Sequence, residues 1–86
     1  MTHLWLAGQE IAVRCAGETE ELLSFTWAGR VQNIARICNH WSVHMDWWLE
    51  DEVRRDYYKV QTEDGLLCIL YHDVRRESWH LARVYD

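Results

Sequence analysis

A hairpin pattern in residues 57–71 constrains the fold of this chain more than any other feature. Residues 57–62 place every second side chain on one side of the segment: Tyr58, Val60 and Thr62. This period of two residues is typical of a half-buried strand. Asp64-Gly65 indicates a tight turn, and residues 66–71 continue as a nearly all-apolar run. The segment predicts two antiparallel strands joined by a tight turn.

Three other segments indicate strands by the same period: residues 10–15, 23–27 and 79–85. Residues 31–38 are ambiguous, because their apolar side chains fall at a spacing that fits a helical face as well as a bulged strand. We favour a strand there, since its neighbours are strands and several of its apolar residues are β-branched.

The short chain and its many aromatic side chains indicate the fold class. The 86 residues include six Trp, four Tyr and one Phe, and a chain this short buries only roughly 60% of its unfolded surface. Large rings can close a small interior with few residues. We therefore predict a single all-β domain over residues 1–86, an antiparallel meander of about six strands curled into a partly open, SH3-like barrel with a ring-rich core.

Two segments have no clear period. Residues 1–8 are predicted to form an N-terminal arm, and residues 39–53 a long Trp-rich loop that contains Trp41, Trp47 and Trp48. We expect the first residues to form neither a signal peptide nor a membrane span. Three widely spaced cysteines with no Cys-x-x-Cys pair indicate reduced thiols and a cytoplasmic protein.

Several motifs carry a family resemblance. They are Trp27-Ala28-Gly29-Arg30, Trp41, Trp47-Trp48, the run Arg55 to Val60, Asp64-Gly65, Tyr71 with Asp73, Trp79, and the ending Leu81 to Asp86. Through these residues the chain resembles a small uncharacterised bacterial domain. That domain occurs alone and, in related form, at the C-terminus of ImuB-type proteins, the Y-family-polymerase-like subunits of mutagenic repair. The resemblance implies a role in DNA-damage tolerance and specifies no chemistry.

The best metal candidate is the cluster Cys38, His40 and His44, although its spacing matches no standard finger. His72-Asp73 and His80 are candidates for acid-base chemistry, but no nucleophile motif or phosphate-binding glycine loop accompanies them. We therefore expect no enzyme and no cofactor.

Single-stranded nucleic-acid binding is the main alternative function. The residues that could form such a surface are Arg54, Arg55, Arg75, Arg76 and Arg83, with Tyr57, Tyr71 and Trp79 as stacking rings. The net charge of -5 disfavours a polyanion. Metal binding by the cysteine and histidine cluster is a second alternative.

A protein-interaction or accessory module fits the sequence best, because Trp and Arg are the residues that most often anchor interfaces. The predicted interaction surface consists of Trp47, Trp48, Arg54, Arg55, Tyr57, Arg75 and Arg76. The expected partner is another protein, with no membrane contact, and the domain is expected to be a monomer or an edge-strand homodimer.

Overall fold

The computed structural model describes residues 2–17, 21–45 and 53–85, and for residues 2–8 and 45 it describes the backbone only. Every regular element in the described residues is a β-strand, which confirms the predicted class. The strands are β1 (Thr2–Ala16), β2 (Glu21–Trp27), β3 (Arg30–Met45), β4 (Val53–Thr62), β5 (Leu67–Asp73) and β6 (Ser78–Tyr85).

The six strands form the predicted meander, but the barrel is closed rather than partly open. Each strand is antiparallel to the next, and β6 pairs with β1. Closure depends on the length of β1, which pairs with β6 from Thr2, opposite Tyr85, to Ile11, opposite Trp79. The predicted N-terminal arm is therefore wrong, because residues 2–4 already pair with the last strand.

The hairpin in residues 57–71 is confirmed. Tyr57 lies opposite Tyr71, and the pairing continues to Gln61 opposite Leu67. In the turn, the Thr62 hydroxyl accepts a hydrogen bond from the Leu66 amide at 3.1 Å. Gly65 has a φ of 85°, a conformation that glycine adopts without a steric penalty.

The predicted loop over residues 39–53 is wrong in its first half. β3 continues through this region, and residues 39–45 pair one to one with residues 53–59 of β4. Residues 46–52, the rest of the predicted loop, lie outside the described residues.

Ring packing between strands explains why β3 extends so far. The His40 ring stacks on Tyr58 with centroids 4.4 Å apart, and the Trp41 ring stacks on Tyr57 at 5.4 Å. Such cross-strand pairs are the main source of sheet stability. In the sequence, aromatic and polar residues are mixed in this segment. Pairing with β4 places alternate side chains on opposite faces of the sheet, so that each face has a regular order.

The strand assignment for residues 31–38 is also confirmed. The pairing of β3 with β4 shifts register between Ile34 and Arg36, and again between Ile37 and Asn39. Each irregularity resets the alternation of side chains. This is why the apolar residues of the segment have a spacing close to that of a helix.

The core of the barrel is mainly aliphatic. Its buried members are Leu22, Phe25, Val60, Cys68, Leu70, Leu81 and Val84. Trp27, Tyr58 and Trp79 are half-buried and pack against this group. The expectation of a ring-rich core therefore holds only in part for the described residues, because a small barrel has a narrow interior. Other rings lie outside it.

Candidate interaction surface

Four rings form a row across four strands. Trp41 of β3 lies opposite Tyr57 of β4, Tyr57 opposite Tyr71 of β5, and Tyr71 opposite His80 of β6. Successive ring centroids are 5.4, 5.2 and 4.7 Å apart. We call these four residues the ring row.

The ring row lies on the outer face of the barrel. Neighbouring side chains of a strand point to opposite faces, and Leu70, next to Tyr71, is a member of the core. Tyr71 nevertheless keeps only 3% of its surface exposed, while the other three rings are half-buried. Side chains on the outer face must therefore cover Tyr71.

Arg55 is one of the side chains that cover it. The Arg55 guanidinium lies 4.4 Å from the centroid of the Tyr71 ring, and its Nη1 donates a hydrogen bond of 3.2 Å to the Tyr57 hydroxyl. Stacking and hydrogen bonding together hold the guanidinium in one orientation. The arginine and the ring row thus form one preorganised unit.

The electrostatics of this unit follow from its packing. Burial alone would lower the pKa of Arg55, but the hydrogen bond to Tyr57 and the nearby groups of Tyr71 and Asp73 outweigh burial and raise it. Burial raises the pKa of Tyr71, and the charge of Arg55 offsets part of this effect. At neutral pH, Arg55 is a cation and Tyr71 a neutral phenol.

A second arginine lies on the next row of the same sheet. Arg83 donates a hydrogen bond from Nη1 to the Tyr85 hydroxyl at 3.0 Å, and its guanidinium lies 5.1 Å from the centroid of that ring. Lys59 lies 5.6 Å from the same centroid. The outer face of β3 to β6 therefore combines rings with three cations.

Comparison with known families assigns the chain to one of them. The model of a family described as a domain of unknown function (DUF6504) matches residues 7–86. The chain belongs to the DUF6504 family. No curated protein and no solved structure matches this chain. None of its described residues forms a helix long and apolar enough to cross a membrane.

The predicted surface residues of the DUF6504 domain divide between two faces and a turn. Arg55 and Tyr57 lie on the outer face with the ring row, whereas Arg54, the neighbour of Arg55, points to the opposite face. Arg75 and Arg76 lie in the turn between β5 and β6. Trp47 and Trp48 fall outside the described residues.

Arg54 and Arg55, at the start of β4, lie at the same end of the barrel as Arg75 and Arg76 in the β5–β6 turn. The Val74 amide in the β5–β6 turn donates a hydrogen bond of 3.0 Å to the Arg54 carbonyl. Within the turn, the Arg76 amide donates to the Asp73 carboxylate at 3.2 Å. These contacts fix the turn beside the start of β4.

Trp79 does not join this surface. It packs against the core and lies 5.5 Å from Tyr58 and 4.7 Å from His72, between ring centroids. At the same end of the interior, a cleft of about 340 Å³ is lined by Cys15, Asp56, Tyr58, His72 and Trp79. No local sequence pattern predicts this cleft, because its residues come from four different strands.

The predicted metal cluster is not assembled. At about 3.3 Å per residue, a strand separates the Cα atoms of His40 and His44 by about 13 Å, too far for both rings to hold one ion. Cys38 and His40 are exposed, and the His40 ring stacks on Tyr58. Among the residues the structure describes, no three His, Cys, Asp or Glu side chains lie close enough to hold a metal ion.

The two histidine candidates for acid-base chemistry are also separated. His72 and Asp73 are neighbours in β5 and point to opposite faces of the sheet. The His80 ring is stacked on Tyr71, and its Nε2 lies 2.8 Å from the Ser78 hydroxyl oxygen. His72 and Asp73 therefore do not form a proton-transfer pair.

Proposed function

We propose that the DUF6504 domain is a non-enzymatic protein-interaction module whose contact is the outer face of β3 to β6. The observation that carries the proposal is the clamped arginine, with the Arg55 guanidinium held on Tyr71 and hydrogen-bonded to Tyr57. Aromatic residues and arginine dominate binding energy at protein interfaces. A side chain that is already ordered loses less conformational entropy when a partner arrives.

Three unpaired side-chain nitrogen atoms on the same face support this proposal. The Nε of Arg55, the Nδ1 of His80 and the Nε of Arg83 are buried and have no hydrogen-bond partner within the described part of the chain. A buried donor without an acceptor costs about 1–3 kcal/mol. A partner would remove this cost where it displaces the side chains that cover these atoms and brings carbonyl or carboxylate oxygens to them.

The packing of the rings favours a protein over a nucleic acid. Bases stack on the open faces of aromatic side chains, but the rings of the row turn toward one another, with Trp41 and Tyr57 inclined by only 4° and Tyr71 and His80 by 13°. The row therefore presents mainly ring edges, which suit contact with apolar protein side chains.

We include Trp47 and Trp48 in the proposed contact, because they belong to the segment that joins β3 to β4. We also propose a link to bacterial DNA-damage tolerance, supported by the sequence resemblance to the C-terminal domain of ImuB-type proteins. The cytoplasm remains the proposed compartment, supported by the free thiols of Cys38 and Cys68.

Affinity capture with matched variants tests the proposed contact. The domain is immobilised and exposed to extracts from damaged and undamaged cells of the source organism. We expect Trp41→Ala to lose proteins that both the wild type and Val31→Ala retain, because Val31, 64% exposed, lies at the other end of the same strand. Recovery of the same proteins by all three forms would exclude the ring row as the contact.

A double variant, Trp47→Ala with Trp48→Ala, tests the connecting segment separately. If the segment contributes to the contact, this variant loses the proteins that Trp41→Ala loses. If it retains all of them, the contact is confined to the sheet face.

Single-stranded nucleic-acid binding is the second candidate, supported by Arg54, Arg55, Arg75 and Arg76 at one end of the barrel. Titration with a single-stranded oligonucleotide would then quench Trp fluorescence with a steep dependence on salt. A double variant of Arg75 and Arg76 to Ala should weaken the quenching, and Arg14→Ala should not. A flat titration of the wild type removes this candidate.

A further inference from the structure

β3 extends well past its neighbour β2. The two strands pair only from Ser24 opposite Asn33 to Trp27 opposite Arg30, while β3 continues to Met45. On its other side, β3 pairs with β4 without a register shift over residues 39–45. Within the described residues, no strand pairs with the side of residues 39–43 that faces away from β4.

This side of β3 lacks the usual protection of sheet edges. Proline, lysine and bulges are common devices that prevent an edge from pairing with another chain. The sequence of β3 contains neither proline nor lysine, and its register irregularities end at Asn39. Residues 39–43 therefore form a regular edge. The His40 amide in it donates a hydrogen bond of 2.9 Å to the side-chain oxygen of Asn39, and an added strand would replace this local contact.

A cleft with polar and apolar lining lies at the base of the edge, where β2 and β3 separate. It has a volume of about 280 Å³ and is lined by residues 21–23 of β2 and residues 34–37 of β3. Leu23 and Ile37 keep 42% and 41% of their surfaces exposed. An added strand would cover both side chains.

The charge of β3 indicates what kind of chain fits. β3 contains Arg30 and Arg36 and no acidic residue, although the whole chain has a net charge of -5. In β4, three cations pair with the segment of β3 from Asn39 to His44: Lys59, Arg55 and Arg54. The one acid of β4 is Asp56, which accepts a hydrogen bond of 2.6 Å from Ser42. Cations therefore outnumber acids on these two strands, which favours an acidic chain over a basic one.

We propose that residues 39–43 of β3 bind an extended, acidic segment of a partner protein, which adds to the sheet as a further strand. This inference rests on the proposed interaction function and adds a second, separate contact to it. Backbone hydrogen bonds supply the affinity of such an added strand, and alternate side chains supply the specificity. Side chains on one face of the added strand would adjoin Trp41, and those on the other would adjoin His40 and Ser42.

Synthetic peptides test this proposal on the intact domain. The probe is a peptide of about seven residues that alternates valine and glutamate, a typical strand length. Amide hydrogen exchange is measured by NMR with and without peptide. We expect slower exchange at outward-facing amides within residues 39–43, because strand addition gives them acceptors.

Two control peptides separate strand addition from other binding. A peptide with lysine in place of glutamate should bind about tenfold more weakly or worse, because of like-charge repulsion. A glutamate peptide that is N-methylated at every residue should give no protection, because it has no amide donor and its methyl groups block pairing along both edges. If the N-methylated peptide protects the same amides equally, strand addition is wrong.

Matched protein variants provide an independent measurement. The double variant Arg36→Glu with His40→Glu should bind the glutamate peptide about tenfold more weakly, and Arg14→Glu, an exposed change on β1, should bind it as the wild type does. Equal binding by both variants and the wild type would overturn the assigned charge preference, and with it the proposal.

Other occupants of the edge give distinct results. Protection of the same amides in a concentration-dependent dimer without peptide would assign the edge to a second copy, and protection by a single-stranded oligonucleotide would assign it to nucleic acid. Either result overturns the proposal, as does an absence of protection by the glutamate peptide. If the edge fails while Trp41→Ala still loses captured proteins, the proposed function stands without this second contact.

Discussion

The Arg55 guanidinium lies over the Tyr71 ring, 4.4 Å from its centroid. This contact joins the middle two strands of the β3 to β6 sheet on the outside of the barrel. It depends on three features at once: the planar guanidinium, the register of β4 with β5, and the Tyr57 hydroxyl that accepts from Nη1.

Replacing Arg55 by Lys should destabilise the domain by about 1 kcal/mol, because an ammonium cannot both stack on Tyr71 and keep the same hydrogen bond to Tyr57. Urea unfolding measures the change in the free energy of unfolding. The control is Arg54→Lys, an exposed neighbour on the opposite face, which should change it by less than about 0.5 kcal/mol. Equal effects of the two variants would mean that the stacked geometry adds no stability.

Leu70→Ala should destabilise the domain by about 2–5 kcal/mol, because Leu70 is fully buried and its loss leaves a cavity. Thermal or urea unfolding gives the value. Leu23→Ala, at a site 42% exposed, is the control and should cost less than about 1 kcal/mol. A small effect at Leu70 would contradict its place in the core, whose buried residues come from β2, β4, β5 and β6.

The cysteines should differ in their reaction with a thiol reagent near neutral pH. Cys38 is exposed and should react at once, whereas Cys68 is buried and its pKa is raised by that burial to about 11. Variants that retain one cysteine each allow the rates to be measured separately. Fast modification of Cys68 in the folded protein would contradict its burial.

Stability should fall as the pH rises from 9.0 to about 11, the range between the ordinary and the folded-state pKa of Cys68. In this range the unfolded chain releases the thiol proton and the folded chain retains it, so higher pH favours unfolding. The raised pKa of Tyr71 acts in the same direction. Cys68→Ala should reduce the slope of unfolding free energy against pH, and an unchanged slope would assign the alkaline loss to other groups.

The turn between β2 and β3 should tolerate one substitution and resist another. Ala28 and Gly29 both have positive φ, 53° and 75°, as a two-residue hairpin turn of this type requires. Asn adopts this conformation more readily than Ala, so Ala28→Asn should stabilise the domain by up to about 1 kcal/mol, and Gly29→Ala should destabilise it by about 1 kcal/mol. Urea unfolding measures both effects, and destabilisation by Ala28→Asn together with stabilisation by Gly29→Ala would contradict the turn geometry.

The sequence predicts the fold best where alternation is undisturbed and a clear turn joins two strands, as in residues 57–71. It fails in residues 39–45, where half-buried Trp41 and Val43 alternate with exposed polar side chains. This mixture resembles a loop until the rings of β4 are opposite it. Closure of the barrel was missed because the pairing of β1 with β6 connects the two ends of the chain, and no local pattern reports such a contact.

The candidate surface could be predicted only in part for a similar reason. Arg55 and Tyr57 stand out locally, and both lie on the outer face. Their association with Trp41 and His80 depends on the register of three strand pairs, which a single sequence does not display. The placement of Trp79 was misjudged, since one residue of offset turns a side chain from the surface to the core.

The pairing of β1 with β6 has a consequence for folding during synthesis. During synthesis, β1 leaves the ribosome before β6 has been made. The growing sheet therefore keeps unpaired edges until synthesis reaches the end of β6. Pairing across so long a separation is intrinsically slow. The interval before closure is when the growing chain is most exposed to pairing with the wrong neighbour.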